Sequence, residues 1–87
     1  MNWNIHPGEI LREEFAKPLN LSSRKLAEGL GTTASRINDI LLERRRITAD
    51  TALKLAKFFN TTPKFWMNLQ VSYDLKEAEQ SLEKKSV

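Results

Sequence analysis

Ala27-Glu28-Gly29-Leu30-Gly31-Thr32-Thr33-Ala34-Ser35-Arg36-Ile37-Asn38-Asp39-Ile40 is the stretch on which the fold turns. Within it Ala27, Gly31, Ile37 and Ile40 stand at intervals of four, six and three. Two short helices that cross near perpendicular need a residue as small as Ala27 where the second packs on the first. They also need Gly31 at the joint, where φ is positive. Ile37 and Ile40, three apart, then turn one stripe of the second helix inward. Leu26 and Leu30 fall on the buried side of the first helix, so six positions in fifteen residues agree. The spacing is that of a helix-turn-helix at about 23–42, and the stripe opposite Ile37 and Ile40 is left free to meet a ligand.

Working outward, Ser22 offers a hydroxyl N-cap to a helix over 23–30, and Thr33 caps the next, whose period runs through Ile37, Ile40 and Leu41 and fades by Leu42 or Glu43. Upstream, Pro7 and Gly8 open a first helix with Glu9 in its first turn, Ile10, Leu11 and Phe15 face inward, and Pro18 closes it. Arg44 to Arg46 read as a connecting loop. A fourth helix starts at Thr48, buries Ala52, Leu55, Ala56 and Phe59, and stops at Asn60, which tolerates the left-handed conformation. Thr62-Pro63 pairs a cap with proline at the first helical position. The fifth helix, about 63–84, carries Phe65, Trp66, Leu69 and Tyr73 on one side. Two adjacent aromatics cannot both face one small core, so Phe65, Trp66, Leu69 and Tyr73 are candidate contacts with a second copy. Ser86 and Val87 are expected to fray. No strand pattern, repeat or low-complexity tract is visible.

Eighty-seven residues make a single domain over 1–87, small enough that pairing with another chain helps it materially. Lys and Arg number 14 against 11 Asp and Glu, a net charge of +3 that permits a polyanionic partner. Its distribution says more: Arg24, Lys25, Arg36, Arg44, Arg45 and Arg46 lie in or beside the helix-turn-helix, whereas Asp74, Glu77, Glu79 and Glu83 lie in the tail. The absence of cysteine excludes a disulfide framework and a thiolate metal site. His6, the only histidine, has no second histidine to work with and leads into the first helix beside Pro7, so neither a metal nor a cofactor is implied. The opening Met1-Asn2-Trp3-Asn4-Ile5-His6 lacks the basic and apolar regions of a signal peptide, and apolar runs fall far short of the roughly 20 residues a membrane helix requires. A cytoplasmic protein without a membrane partner is expected.

With Ile37, Ile40 and Leu41 buried, a step of about 100° per residue puts Ser35, Asn38, Asp39 and Leu42 on the far side of the second helix and Arg36 at its flank. On double-stranded DNA, Asn38 suits adenine, Asp39 accepts from the cytosine amino group, Arg36 reaches guanine or a phosphate, and Leu42 touches a thymine methyl. Ser22, Ser23 and Thr33, at helix N-termini, suit phosphate oxygens, and the Arg44 to Arg46 loop adds attraction independent of sequence. The plain alternative, a solvated arginine loop and ordinary surface residues on a short helix, stays open at this point.

His6-Pro7-Gly8-Glu9-Ile10-Leu11, Leu26-Ala27-Glu28-Gly29-Leu30-Gly31, Arg36-Ile37-Asn38-Asp39-Ile40, Arg45-Arg46-Ile47-Thr48-Ala49-Asp50-Thr51-Ala52, and Phe65-Trp66-Met67-Asn68-Leu69-Gln70 through Tyr73-Asp74-Leu75 together resemble the HigA-type antitoxins, also labelled VapI, of the Xre/Cro helix-turn-helix superfamily. The resemblance implies an all-α, five-helix, lambda-repressor-like domain. It also implies a homodimer encoded beside an mRNA-cleaving toxin, which it binds and silences while repressing the operon for both. Two positions depart from the family pattern. Ser23 stands where glutamine is common, which shortens a phosphate contact. Leu42-Glu43 stands where Asn-Gly commonly ends the recognition helix, which removes the easy left-handed stop and sets a carboxylate beside DNA phosphates. A free-standing Xre-type repressor without a toxin partner is the competing reading. An enzyme is disfavoured, since Glu13 and Glu14 are helix neighbours that do not face each other and no nucleophile set, phosphate loop or metal spacing is present.

Overall fold

Four of the five helices end in the same way, and those endings shape the molecule. The computed structural model describes residues 4–85; the expected fraying of Ser86 and Val87 lies outside them. Among the described residues the elements are all helical: α1 (Pro7–Ile10), which runs directly into a π-helical stretch Leu11–Ala16, then α2 (Ser23–Leu30), α3 (Ala34–Leu41), α4 (Ala49–Phe59) and α5 (Pro63–Lys85). Each of the first four closes with one residue in the left-handed region, at Asn20 (φ 54°), Gly31 (71°), Glu43 (63°) and Asn60 (57°). The next amide reaches back across the last turn: Leu21 to Ala16 O (2.8 Å), Thr32 to Ala27 O (3.0 Å), Arg44 to Asp39 O (2.8 Å) and Thr61 to Ala56 O (2.9 Å). These are Schellman closures, which satisfy carbonyls that a helix end otherwise leaves bare.

The expected caps hold. Ser22 Oγ accepts from Lys25 N, Thr33 Oγ1 from Arg36 N, Thr48 Oγ1 from Thr51 N and Thr62 Oγ1 from Phe65 N. His6 caps α1 with a ring nitrogen, Nδ1 accepting from Gly8 N at 2.8 Å. Nothing in the sequence pattern marks the π-helical stretch, in which Lys17 N bonds back five residues to Arg12 O at 3.0 Å. It precedes Pro18, which has no N–H to give and whose ring crowds the carbonyl four residues earlier, and a widened turn admits that ring. The helix therefore carries on through hydrogen-bonded turns past Pro18 instead of stopping there.

The core is formed by Leu11, Leu26, Ala27, Leu30, Ile37, Ile40, Leu41, Ile47, Ala52, Leu55, Ala56 and Trp66. Each large aliphatic side chain withdrawn from water contributes about 1.5–3 kcal/mol before entropy is counted. Gly8 lets α1 lie against α3 at backbone distance, since a Cβ there would stand 1.8 Å from Ile40 O. On α5 the inward side is Trp66, Gln70 and Tyr73, at spacings of four and three. Trp66 is fully buried between Phe15 and Phe65, ring centroids 5.0 Å from each, with Nε1 donating to Thr61 Oγ1 at 2.8 Å. This corrects one expected dimer contact: Trp66 has no surface to offer a second copy, while Phe65 remains exposed and Leu69 and Tyr73 half-buried.

Candidate nucleic-acid interface

α2 and α3 form the helix-turn-helix, joined by Gly31 and Thr32, with Ile37, Ile40 and Leu41 buried. The opposite side of α3 exposes Ser35, Arg36, Asn38 and, just past its end, Leu42. Arg36 carries no ion pair among the described residues, so its five donors face water. Asn38 is exposed and met by Ser23, whose Oγ donates to Oδ1 at 3.4 Å, leaving the amide N–H groups without a partner among the described residues. Ser22 and Ser23 open α2 on the wall of a groove of about 400 Å³ shared with Arg12, Lys17, Asn20 and Leu41. Thr33, at the start of α3, is exposed; its Oγ1 accepts the cap bond from Arg36 N and its O–H stays available to donate.

The remaining candidates are tied to the protein itself. Asp39 is half-buried and faces Arg44 Nη2 at 3.7 Å and Arg45 Nη2 at 3.8 Å. Arg46 Nη2 donates to Asp74 Oδ2 at 2.9 Å, and Arg24 on α2 lies 3.8 Å from Glu28. All four arginines are still exposed, and exposed pairs of this kind are worth about 0–1 kcal/mol, so a phosphate can displace or share them.

The end of α3 departs from expectation. Glu43 stands where glycine or asparagine would be at ease, yet it takes the left-handed conformation (φ 63°) and the closure forms around it. A residue with a Cβ pays about 1–2 kcal/mol for this. Its carboxylate does not stand free: Arg12, from the π-helical stretch, donates to Glu43 Oε2 at 3.3 Å and to the carbonyl of Leu41, while its Nε meets Glu13 at 3.0 Å. One guanidinium thus caps the last turn of α3 and holds Glu43. The bond to Glu13 and the pair with Glu43 raise the Arg12 pKa, and Lys17 and then Arg12 hold the Glu13 carboxyl below its ordinary value. Sequence reasoning missed Arg12, because nothing in its neighbourhood marks a contact 29 residues away.

It also missed Gln70. This side chain is buried at 1 % exposure and uses both ends: Oε1 accepts from Ile47 N at 2.7 Å and Nε2 donates to Asp74 Oδ1 at 2.9 Å. The arginine loop is therefore stitched to α5 at its far end. The 66, 70, 73 spacing was the available signal, obscured by the polarity of glutamine. Among the described residues no group of three or more His, Asp or Glu is placed to hold a metal ion, and no helix is long and apolar enough to cross a membrane.

A helix-turn-helix family model matches residues 11–66. Virulence-associated protein I of Dichelobacter nodosus is 57% identical over 76 residues, spanning 87% of this chain and 70% of that one. Among solved structures, an addiction module antidote protein of a HigA family from Coxiella burnetii is 53% identical, with a TM-score of 0.87 over 93% of this chain and 88% of its own. The Pseudomonas aeruginosa antitoxin HigA, solved with the higBA promoter, superposes with a TM-score of 0.92 at 44% identity, over 95% of this chain and 90% of that one. The chain belongs to the HigA/VapI-type antitoxins of the Xre-type helix-turn-helix family.

Proposed function

We propose that this chain is an antitoxin that, as a dimer, represses its own operon through sequence-specific DNA binding and neutralises an mRNA-cleaving partner toxin. The observation that carries the reading is the outward face of α3, with Arg36 unpaired and Asn38 exposed beside Ser23, on a fold that matches a HigA antitoxin solved with promoter DNA. Ser35, Arg36, Asn38 and Leu42 would meet base edges; Ser22, Ser23, Arg24, Thr33, Arg44, Arg45 and Arg46 would meet the backbone. Asp39 keeps acceptor capacity for a cytosine amino group beside its loose pairs with Arg44 and Arg45 at 3.7 and 3.8 Å.

Dimerisation is supported by a second stripe on α5. Val71, Leu75, Ala78 and Leu82, at spacings of four, three and four, are exposed, at 48 %, 60 % and 66 % for the three large residues. At about 100° per residue they lie across the helix from Trp66 and Tyr73. That spacing is a two-heptad seam, and a seam facing its own copy about a two-fold axis covers itself. Half-sites one DNA turn apart would set the two α3 helices about 34 Å apart.

The test is growth after induction of the reading frame adjacent to this one, with and without this chain. Rescue from arrest, including by a chain with Arg36 and Asn38 replaced by alanine, supports the antitoxin role separately from repression. A harmless neighbour together with tight binding to the DNA upstream supports the free-standing repressor instead.

A further inference from the structure

Arg46 differs from the other two loop arginines in how it is held. Arg44 and Arg45 share Asp39 at 3.7 and 3.8 Å, whereas Arg46 meets Asp74 at 2.9 Å. Asp74 is itself fixed: its other oxygen accepts from Gln70 Nε2, and Gln70, buried, is locked by Ile47 N. Ile47 is fully buried one residue from Arg46. A chain of three hydrogen bonds thus runs from the loop backbone through α5 and back to the guanidinium one residue earlier. Only one of the five Arg46 N–H donors is committed in it.

We propose that Asp74 is a specificity-determining positioning residue of the DNA interface, acting through Arg46. The inference rests on the reading of the Arg44 to Arg46 loop as a phosphate contact. Two effects of the carboxylate act in the same direction. Its charge subtracts from the attraction the loop exerts on any duplex. Its grip on Nη2 also keeps Arg46 at one place relative to α3, so a phosphate is met well only when the duplex lies in the register at which α3 reads bases. An arginine released from Asp74 follows phosphates at any register, which favours DNA of unrelated sequence over the operator.

The test is fluorescence anisotropy with two duplexes, one of random sequence and one from the DNA upstream of the reading frame, between about 50 and 200 mM salt. Asp74→Asn keeps an oxygen for Gln70 and removes the charge. It is expected to bind the random duplex about three- to tenfold tighter, with a log-log salt slope steeper by up to about 0.9, one phosphate more, and to lower the upstream-to-random ratio by a similar factor. Glu79→Gln, the same charge change about one and a half turns along α5, is expected to leave the ratio in place, and Arg46→Ala in the Asp74→Asn background to abolish the gain. An equal gain from Glu79→Gln, a gain that survives loss of Arg46, or an unchanged random-duplex affinity and slope overturns the proposal. Should Asp74→Asn unfold by circular dichroism, Arg46→Ala alone decides: it must weaken the upstream duplex more than the random one. If the unaltered chain does not prefer upstream DNA, the operator reading fails and the specificity role with it, while the random-duplex comparison separately decides whether Asp74 restrains Arg46.

Discussion

α3 and α5 each bury one side and expose the other, and the exposed sides are opposite in kind. α3 turns Ser35, Arg36 and Asn38 outward, groups that carry their own hydrogen-bonding capacity and cost nothing to leave in water. α5 turns Val71, Leu75 and Leu82 outward, groups that gain free energy only when something covers them. The difference teaches that only the apolar face asks to be covered, by another protein surface, whereas the polar one is stable in water and suits a hydrated polyanion.

The contrast can be broken at several depths. Gly8→Ala attacks the frame that carries both helices: its Cβ would stand 1.8 Å from the backbone oxygen of Ile40, which cannot swing aside as a side chain can. A loss of about 3 kcal/mol is expected in urea unfolding. Gly31→Ala is the mild companion, since it meets nothing within 4 Å and costs only its left-handed backbone, about 1 kcal/mol. A midpoint shift no larger for Gly8 than for Gly31 would show that α1 does not depend on that close approach.

Replacing Arg36 and Asn38 together by alanine strips the polar face alone. Affinity for upstream DNA should drop about a hundredfold, from two lost base or phosphate contacts of about 1–3 kcal/mol each, with the thermal midpoint and self-association unchanged. Retention of full affinity removes α3 as the reading helix. Leu75→Asp does the reverse. It sets a charge in the middle of the α5 stripe, and sedimentation should show weaker self-association by about tenfold or more, with the monomer fold intact because Leu75 is 60 % exposed and lies outside the core. An unchanged dimer would move the interface to the Phe65 and Leu69 side.

The smallest expected effect lies where the two regions meet. His6 caps α1 and packs edge-on against Tyr73 of α5, centroids 4.8 Å apart. Burial lowers its pKa below the ordinary 6.5, against a weaker opposing pull from Glu43 and Asp74. The unfolded chain therefore takes up the proton first as the pH falls. The stability tied to neutral His6 is full above 6.5 and is lost progressively below it. Thermal melts at about pH 7.5 and 5.5 should differ more for the unaltered chain than for His6→Asn, which keeps a cap acceptor that does not titrate. Equal differences would mean that carboxylates carry the acid sensitivity.

Local rules made most of the fold legible. Ser22, Thr33, Thr48 and Thr62 announce the helix starts because each cap is a contact within three residues, and Gly31 and Asn60 announce ends because few residues accept positive φ. Glu43 was illegible for the same reason: its left-handed turn is imposed by the closure around it and by Arg12, a tertiary contact, against local preference. The site divides along the same line. Periodicity was enough to place Ser35, Arg36 and Asn38 on the exposed side of α3. The pairing of Asp39 with the arginine loop and the Gln70 to Asp74 bridge depend on how distant segments meet. Trp66 and Phe65 form an instructive pair: sequence said that only one aromatic could face inward, and packing chose which.

α3 begins at a threonine cap, ends at a closure made by backbone amides and Arg12, and contributes only Ile37, Ile40 and Leu41 to the interior. None of these supports draws on the side chain of Ser35 or Arg36, and that of Asn38 shares only a long contact with Ser23. The helix is in effect an interchangeable cassette. Its outward letters can be exchanged without touching the frame, so, on the proposed reading of α3 as the base-reading helix, a few surface changes would give a new operator at almost no cost to folding.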